Sequence, residues 1–190
     1  MDDIKYRRNA IRSLTNDVGV YALCDLERTP LYVGQSTDGI QNRVRRHLTS
    51  ARSDIIANRQ IDVWEVAYVY AFPCDKAHID RLEGFLYHHY NNQYHLMNGT
   101  IPKRPSVDIP QAPDPSQIVQ VIPEETIKYR LLPSIRAARQ AEHYCAIIDH
   151  FLTVKQSNEI GRSMEAHLWR LIDHHKLLLS QFSLFDEAAE

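Results

Sequence analysis

The three cysteines, Cys24, Cys74 and Cys145, are odd in number and far apart. They fit a reduced, cytoplasmic interior better than a disulfide framework or a zinc cluster. No apolar run approaches the roughly 18 residues that a membrane span requires, so no membrane partner is expected. The opening residues, Met1-Asp2-Asp3-Ile4-Lys5, lack the apolar centre of a secretory signal. No internal repeat of about 20–50 residues is present. A strong charge of one sign is also missing, the formal net charge being -2. That value hides an asymmetry: up to Arg104 there are 14 Lys+Arg against 12 Asp+Glu, and afterwards 8 against 12. Neither half is basic enough to force a nucleic-acid partner. More telling is the local run of Arg43, Arg45, Arg46, His47, Arg52 and Arg59.

What is present belongs to a globular protein, with 44% hydrophobic and 24% charged residues in a chain of 190. That length holds one domain with an appendage, or two small domains. Residues 4–14 read as a short basic helix or arm, either solvated or touching phosphate. Residues 18–25 alternate with the period of a strand, and Pro30 opens a second strand through Gly34. If the hairpin buries its aliphatic set together, Gly19, Tyr21, Tyr32 and Gly34 share the opposite face. Ser36, Thr37 or Asp38 is placed to cap the next helix, whose buried stripe is Ile40, Val44, Leu48 and Ala51. Arg43 and His47, four apart, stack beside that stripe.

A third strand is expected over residues 61–71, then a helix from a cap at Asp75 to about Asn92. Glu83 interrupts that helix's apolar stripe of Ile79, Leu82, Leu86 and Tyr90. An unpaired carboxylate there is costly, so it must meet a cation, a metal or a wet cleft. Residues 101–123 contain six prolines and read as an extended linker. The remainder, 124–190, is helical in pattern. Its five histidines, His143, His150, His167, His174 and His175, are expected on solvated faces.

The order β-β-α-β-α over residues 16–100 predicts a compact α/β (α+β) unit with a helical C-terminal region. Tyr21, Tyr32, Arg43, His47 and Glu83 break its apolar patterns. Two phenols, a fixed cation, an imidazole and one isolated carboxylate suit phosphodiester hydrolysis. A carboxylate can hold Mg²⁺ with most waters retained. Arginine complements the charge that develops on phosphate. A tyrosine or histidine can relay a proton. Tyrosine is a poor base at its ordinary pKa of about 10 and needs a neighbouring cation.

Gly19-Val20-Tyr21, then Tyr32-Val33-Gly34 after ten residues, then Arg43-x-x-x-His47, Glu83 and Asn98, resembles the GIY-YIG nuclease superfamily. The resemblance implies a small domain with a three-stranded antiparallel sheet flanked by helices. Residues 1–100 would be this domain with its basic arm, 101–123 a linker, and 124–190 a region for dimerisation, DNA recognition or partner docking. The resemblance also implies roles. Tyr21 or Tyr32 would orient or deprotonate the attacking water, and Arg43 would stabilise the scissile phosphate. His47 would assist proton transfer, and Glu83 would be the sole protein ligand of Mg²⁺ or Mn²⁺. Asn98 would be structural and substrate-orienting, with Asn91 or Asn92 as alternatives. Gln35, where many members have lysine, and Arg45, Arg46 and Arg52 are candidate DNA contacts. Both central isoleucines are valine here.

The leading expectation is therefore a divalent-metal-dependent DNA endonuclease, a phosphodiesterase of restriction, defence or repair type. Its C-terminal helices are candidates for a homodimer. The alternatives are a nucleic-acid-binding module that has lost activity and a nuclease subunit of a larger repair or defence complex.

Overall fold

A computed structural model describes residues 3–50, 53–106 and 112–186, with side chains through residue 182. Four strands form one antiparallel sheet: β1 (Gly19–Cys24), β2 (Pro30–Ser36), β3 (Tyr68–Pro73) and β4 (Gln117–Gln120), in the order β2-β1-β3-β4. The helices are α1 (Asp3–Ile11), α2 (Ile40–Thr49), a single turn α3 (Asp54–Ala57), α4 (Ile79–Asn91), α5 (Glu124–Arg130), α6 (Pro133–Thr153) and α7 (Asn158–Asp186).

The β1–β2 hairpin closes through a turn built on Asp25. Its Oδ1 accepts the amides of Glu27 and Thr29, each at 2.9 Å. The register pairs Tyr21 with Gly34 and Leu23 with Tyr32, so Gly19, Tyr21, Tyr32 and Gly34 do share one face. That face is not open surface. Every residue of β1 is buried, because helices cover both sides of the sheet. On the tyrosine side, Leu23, Leu31 and Val69 pack with Ile11 of α1 and Ile40, Val44 and Leu48 of α2. On the other side, Val20, Ala22, Val33 and Phe72 pack with Ile79, Leu86 and Tyr87 of α4. Burying each large aliphatic side chain contributes about 1.5–3 kcal/mol, enough to fix both helices on the sheet.

Several sequence expectations change. The sheet has four strands, not three, since β4 lies inside the segment read as a linker. Val119 pairs with Val69, and the Gln117 side chain ties β4 to the end of α1 by bonding the Thr15 amide and the Ser13 carbonyl. A strand of four residues flanked by proline carries too little periodicity to stand out. The third strand begins at Tyr68 and not at residue 61. Asp62 turns the chain by accepting the Trp64 amide, and Glu65 is spent on an ion pair. Arg7 of the N-terminal arm is neither solvated nor free for phosphate: it is buried and donates to the Val63 carbonyl at 3.1 Å.

The helix caps also differ. None of Ser36, Thr37 and Asp38 caps α2. Its first amides are satisfied by the preceding loop, Ile40 N by the Asp17 carbonyl, Gln41 N by the Thr15 carbonyl and Asn42 N by Asn16 Oδ1. This close approach falls on Gly39, whose φ of 98° suits glycine and where a Cβ would collide with Asn16. Asp75 caps no helix with its side chain, a 3₁₀ turn over Lys76–His78 intervening before α4.

The C-terminal helices α6 and α7 pair with each other and grip the first hundred residues through buried polar groups. Arg136 bonds Asp25, Glu27 and Glu65, and Arg170 bonds Asp25. His143 and His167 are buried, against the expectation of solvated faces. Each donates its Nε2–H to a backbone carbonyl, of Arg59 and Gln60 respectively, at 3.0 Å.

Burial pushes the His167 imidazole down to about 3 and the His47 imidazole down to about 4. Both stay neutral in the fold but gain a proton on unfolding below about pH 6.5. Their contribution to stability is therefore complete at neutral pH and declines as pH falls from about 6.5 towards the folded values. The expected loss between pH 7.5 and pH 5 is on the order of 2 kcal/mol for each. Urea unfolding at the two pH values measures it; equal stabilities would contradict the burial of these rings.

Candidate active site

The site is assembled where β1, β2, α2 and α4 meet. Tyr21 is fully buried on β1 and Tyr32 half-buried on β2, with ring centroids 6.3 Å apart. His47 of α2 lies 6.0 Å from the Tyr21 ring and 6.1 Å from the Tyr32 ring. Gly34 makes the cluster fit: a Cβ there would lie 2.6 Å from the Tyr21 hydroxyl and 2.7 Å from Tyr32 Cε1. The glycine of the second tripeptide is thus the floor on which both phenols rest.

His47 Nδ1 is paired with Ser53 Oγ at 2.6 Å, which fixes the ring and leaves Nε2 without a hydrogen-bond partner. The Tyr21 hydroxyl and Arg43 Nε are also buried without partners among the described residues. Arg43 reaches Tyr21 as a charge and a weak polar contact that falls short of a full hydrogen bond. Burial pushes Tyr21 well above the ordinary phenol range, with Tyr32 adding to the rise and Arg43 opposing it. Burial raises Tyr32 too, again opposed by Arg43. Both phenols are neutral at pH 7 and offer hydroxyl dipoles, not phenolates.

Glu83 lies half-buried on α4, and its Oε2 accepts Gln35 Nε2 at 3.0 Å. The same amide nitrogen bonds Asp80 Oδ1 at 2.8 Å. Gln35 is therefore a link between two carboxylates and not a free DNA contact. Burial raises the Glu83 carboxyl, Asp80 adds to the rise, and Gln35 and Arg43 oppose it. No salt bridge relieves Glu83 among the described residues, where no cluster of three or more His, Cys, Asp or Glu could hold a metal.

Asn98 occupies a different place. Its Oδ1 accepts the Val33 amide at 3.0 Å and its Nδ2 donates to the Val33 carbonyl at 2.7 Å. It seals the outer edge of β2 as a neighbouring strand would. With both amide atoms committed, its position is that of a residue holding β2, not one facing substrate. Asn91 bonds the Leu96 amide in the turn after α4, and Asn92 ends that helix. Arg45 and Arg46 are exposed and border, with Arg43, a cleft of about 410 Å³. A neighbouring cleft of about 460 Å³ runs from Arg43 and Arg46 past Gln35 to Asp80 and Lys76. Arg52 lies outside the described residues. Sequence reasoning passed over Asp80 and Ser53. The three-residue spacing of Asp80 and Glu83 on one helix was a usable sign of the first; nothing in sequence pointed to the second.

Residues 17–96 match the family model described as the GIY-YIG catalytic domain. The chain carries a GIY-YIG nuclease domain. No curated protein and no solved structure matches the chain. The match covers β1 to the loop after α4, so both tripeptides, Arg43, His47 and Glu83 fall within it. Asn98, β4 and the helices α5 to α7 lie beyond it. A GIY-YIG domain is that of a hydrolase acting on DNA. No helix among the described residues is long and apolar enough to cross a membrane.

Proposed function

We propose that the chain is a divalent-metal-dependent endonuclease that hydrolyses DNA phosphodiester bonds at the surface between α2 and α4. The observation that carries this reading is the convergence of unpartnered polar atoms. Arg43 Nε and His47 Nε2 are buried without hydrogen-bond partners among the described residues, and the Tyr21 hydroxyl has only weak polar contacts to Arg43 and Tyr32. Beside them Glu83 makes no salt bridge among the described residues, Arg43 offsetting its charge only in part. Single unpartnered atoms also occur at Arg7, His150, His167 and Arg170; what distinguishes this place is that such atoms from two helix positions and a strand converge beside one carboxylate.

The donor set fits Mg²⁺ or Mn²⁺. Glu83 and its neighbour Asp80 are hard oxygen donors whose mutual repulsion a cation would relieve, with Glu83 the protein ligand and water or phosphate filling the remainder. Such an ion supplies charge stabilisation to the phosphate and lowers the pKa of water. Arg43 presents its guanidinium to the scissile phosphate, in a half-buried position where its charge is weakly screened. Tyr21 and Tyr32, being neutral, orient the attacking water by hydrogen bonding. His47, held neutral by burial and fixed by Ser53, accepts or passes a proton through Nε2.

Cleavage of plasmid and linear duplex DNA in Mg²⁺, with a chelator as control, tests the reading. Cutting that persists in excess chelator would remove the metal, and no cutting on any DNA would favour a binding module. A restriction or defence enzyme is the subclass we favour, because β4 and α5 to α7 add surface to a small catalytic unit. A homodimer joined through α7, which exposes Leu177, Leu179 and Phe182, would supply the second active site that double-strand cleavage needs. The reduced cysteines fit a cytoplasmic location.

A further inference from the structure

Residues 102–106 do not behave as the start of a loose connector. His88 Nε2 on α4 donates to the Pro102 carbonyl at 3.0 Å. The Lys103 carbonyl presses so closely on Gly84 that a Cβ there would collide with it, and Pro105 Cδ follows at 3.5 Å from the same position. The segment is seated along α4, on the helix that carries Glu83. Seated there, Lys103 and Arg104 join Arg81 of α4 around a cleft of about 360 Å³. All three cations are exposed, and none has an ion pair or side-chain hydrogen bond among the described residues. By contrast, Arg7, Arg130, Arg136, Arg139, Arg162 and Arg170 are all engaged in bonds within the fold.

Asp80 borders this cleft and also the one that holds Arg43, Arg46 and Lys76. The Asp80–Gln35–Glu83 link therefore sits at the junction of two basic concavities. The family match ends at residue 96, so Lys103 and Arg104 belong to the part of the chain it does not cover.

We propose that Arg81, Lys103 and Arg104 form a second phosphate-contacting subsite, which holds the DNA backbone flanking the scissile bond on the side of Glu83 away from Arg43, Arg45 and Arg46. The inference rests on the endonuclease reading and extends it. A polyanion lying across the Glu83 site meets unpaired cations in both directions, while the carboxylates between them lie where the scissile phosphate and its counter-ion meet. The contacts are to phosphate, so they set register and affinity and carry no sequence preference.

The test uses the full chain in chelator, so that binding is read without cleavage, on a short mixed-sequence duplex. Arg81→Ala, Lys103→Ala and Arg104→Ala are combined in one variant. A control variant removes the same charge at Lys128, Lys155 and Lys176, which border neither cleft. Each lost phosphate contact lowers the dependence of log Kd on log salt by about 0.9. The cleft variant is expected to lose about 2 to 3 in that slope and at least about ten-fold in affinity, uniformly across sequences. Ethylation interference mapped around the cut should lose its signals on one side only. Equal losses in the control variant would overturn the subsite, as would an unchanged slope in a chain that still binds and cuts; both leave the endonuclease reading standing. A wild-type chain that neither binds nor cuts DNA would remove both. All three side chains being exposed, thermal unfolding should match wild type and exclude a folding defect.

Discussion

Glu83→Gln should reduce Mg²⁺-dependent DNA cleavage by at least about 10³-fold while leaving the fold and DNA binding in place. The substitution keeps the side chain's size and its capacity to bond Gln35, which holds Glu83 Oε2 at 3.0 Å. What it removes is the charge. Burial raises the Glu83 carboxyl and Asp80 adds to it, while Gln35 and Arg43 offset the rise in part, so a bound cation would stabilise the ionised form further. Losing that charge also removes repulsion towards DNA, so affinity should hold or rise. Cleavage rates in Mg²⁺ and Mn²⁺, set beside affinity measured in chelator, separate the two effects. Cutting within ten-fold of wild type would exclude Glu83 as the metal ligand. A matched fall in affinity would move it to substrate binding.

The largest effect on stability should come from Arg136→Met. Arg136 is 2% exposed, Asp25 1% and Glu65 0%, and the guanidinium bonds both carboxylates, at 2.9 and 3.0 Å. Burial works against the ionised Asp25, yet the Arg170 and Arg136 guanidinia hold its carboxyl below the usual range. Without Arg136, Asp25 keeps Arg170 at 2.6 Å, but Glu65 is left with that same guanidinium at 3.6 Å. Breaking a buried pair from one side costs about 3–5 kcal/mol, because a charge remains buried and under-compensated. The contact to Glu27 adds little, that side chain being 57% exposed. Denaturant unfolding at neutral pH measures the loss; a change below about 1 kcal/mol would mean that water reaches the network.

Arg136 also shows why half of the chain was opaque to sequence reading. Its partners stand 71, 109 and 111 residues away, so no local pattern announces the bonds. The same holds for His143 and His167. A histidine on a helix in sequence gives no sign of a backbone carbonyl waiting in the 59–60 turn, and both rings proved buried where solvated faces were expected. β4 escaped because its strand character comes from pairing with β3 and not from its own four residues. The candidate site residues of the first hundred were easier. Glu83 interrupts an apolar stripe, and Arg43 and His47 are one helical turn apart, both local features that periodicity exposes; the two tripeptides at hairpin spacing stood out through their resemblance to the GIY-YIG motifs.

Sequence alone determined the strand–strand–helix–strand–helix order, because strand and helix periods place side chains before any tertiary contact is known, and its resemblance to the GIY-YIG motifs pointed to the domain matched over residues 17–96 and to five candidate site residues. Tertiary structure decided the rest. It turned the tyrosine face inward beneath α2, since both faces of β1 had to be covered. It joined Gln35 to Asp80 and Glu83, and assigned Asn98 to the backbone of Val33. It also bound α6 and α7 to the β1–β2 turn through charges that only folding brings within reach of one another.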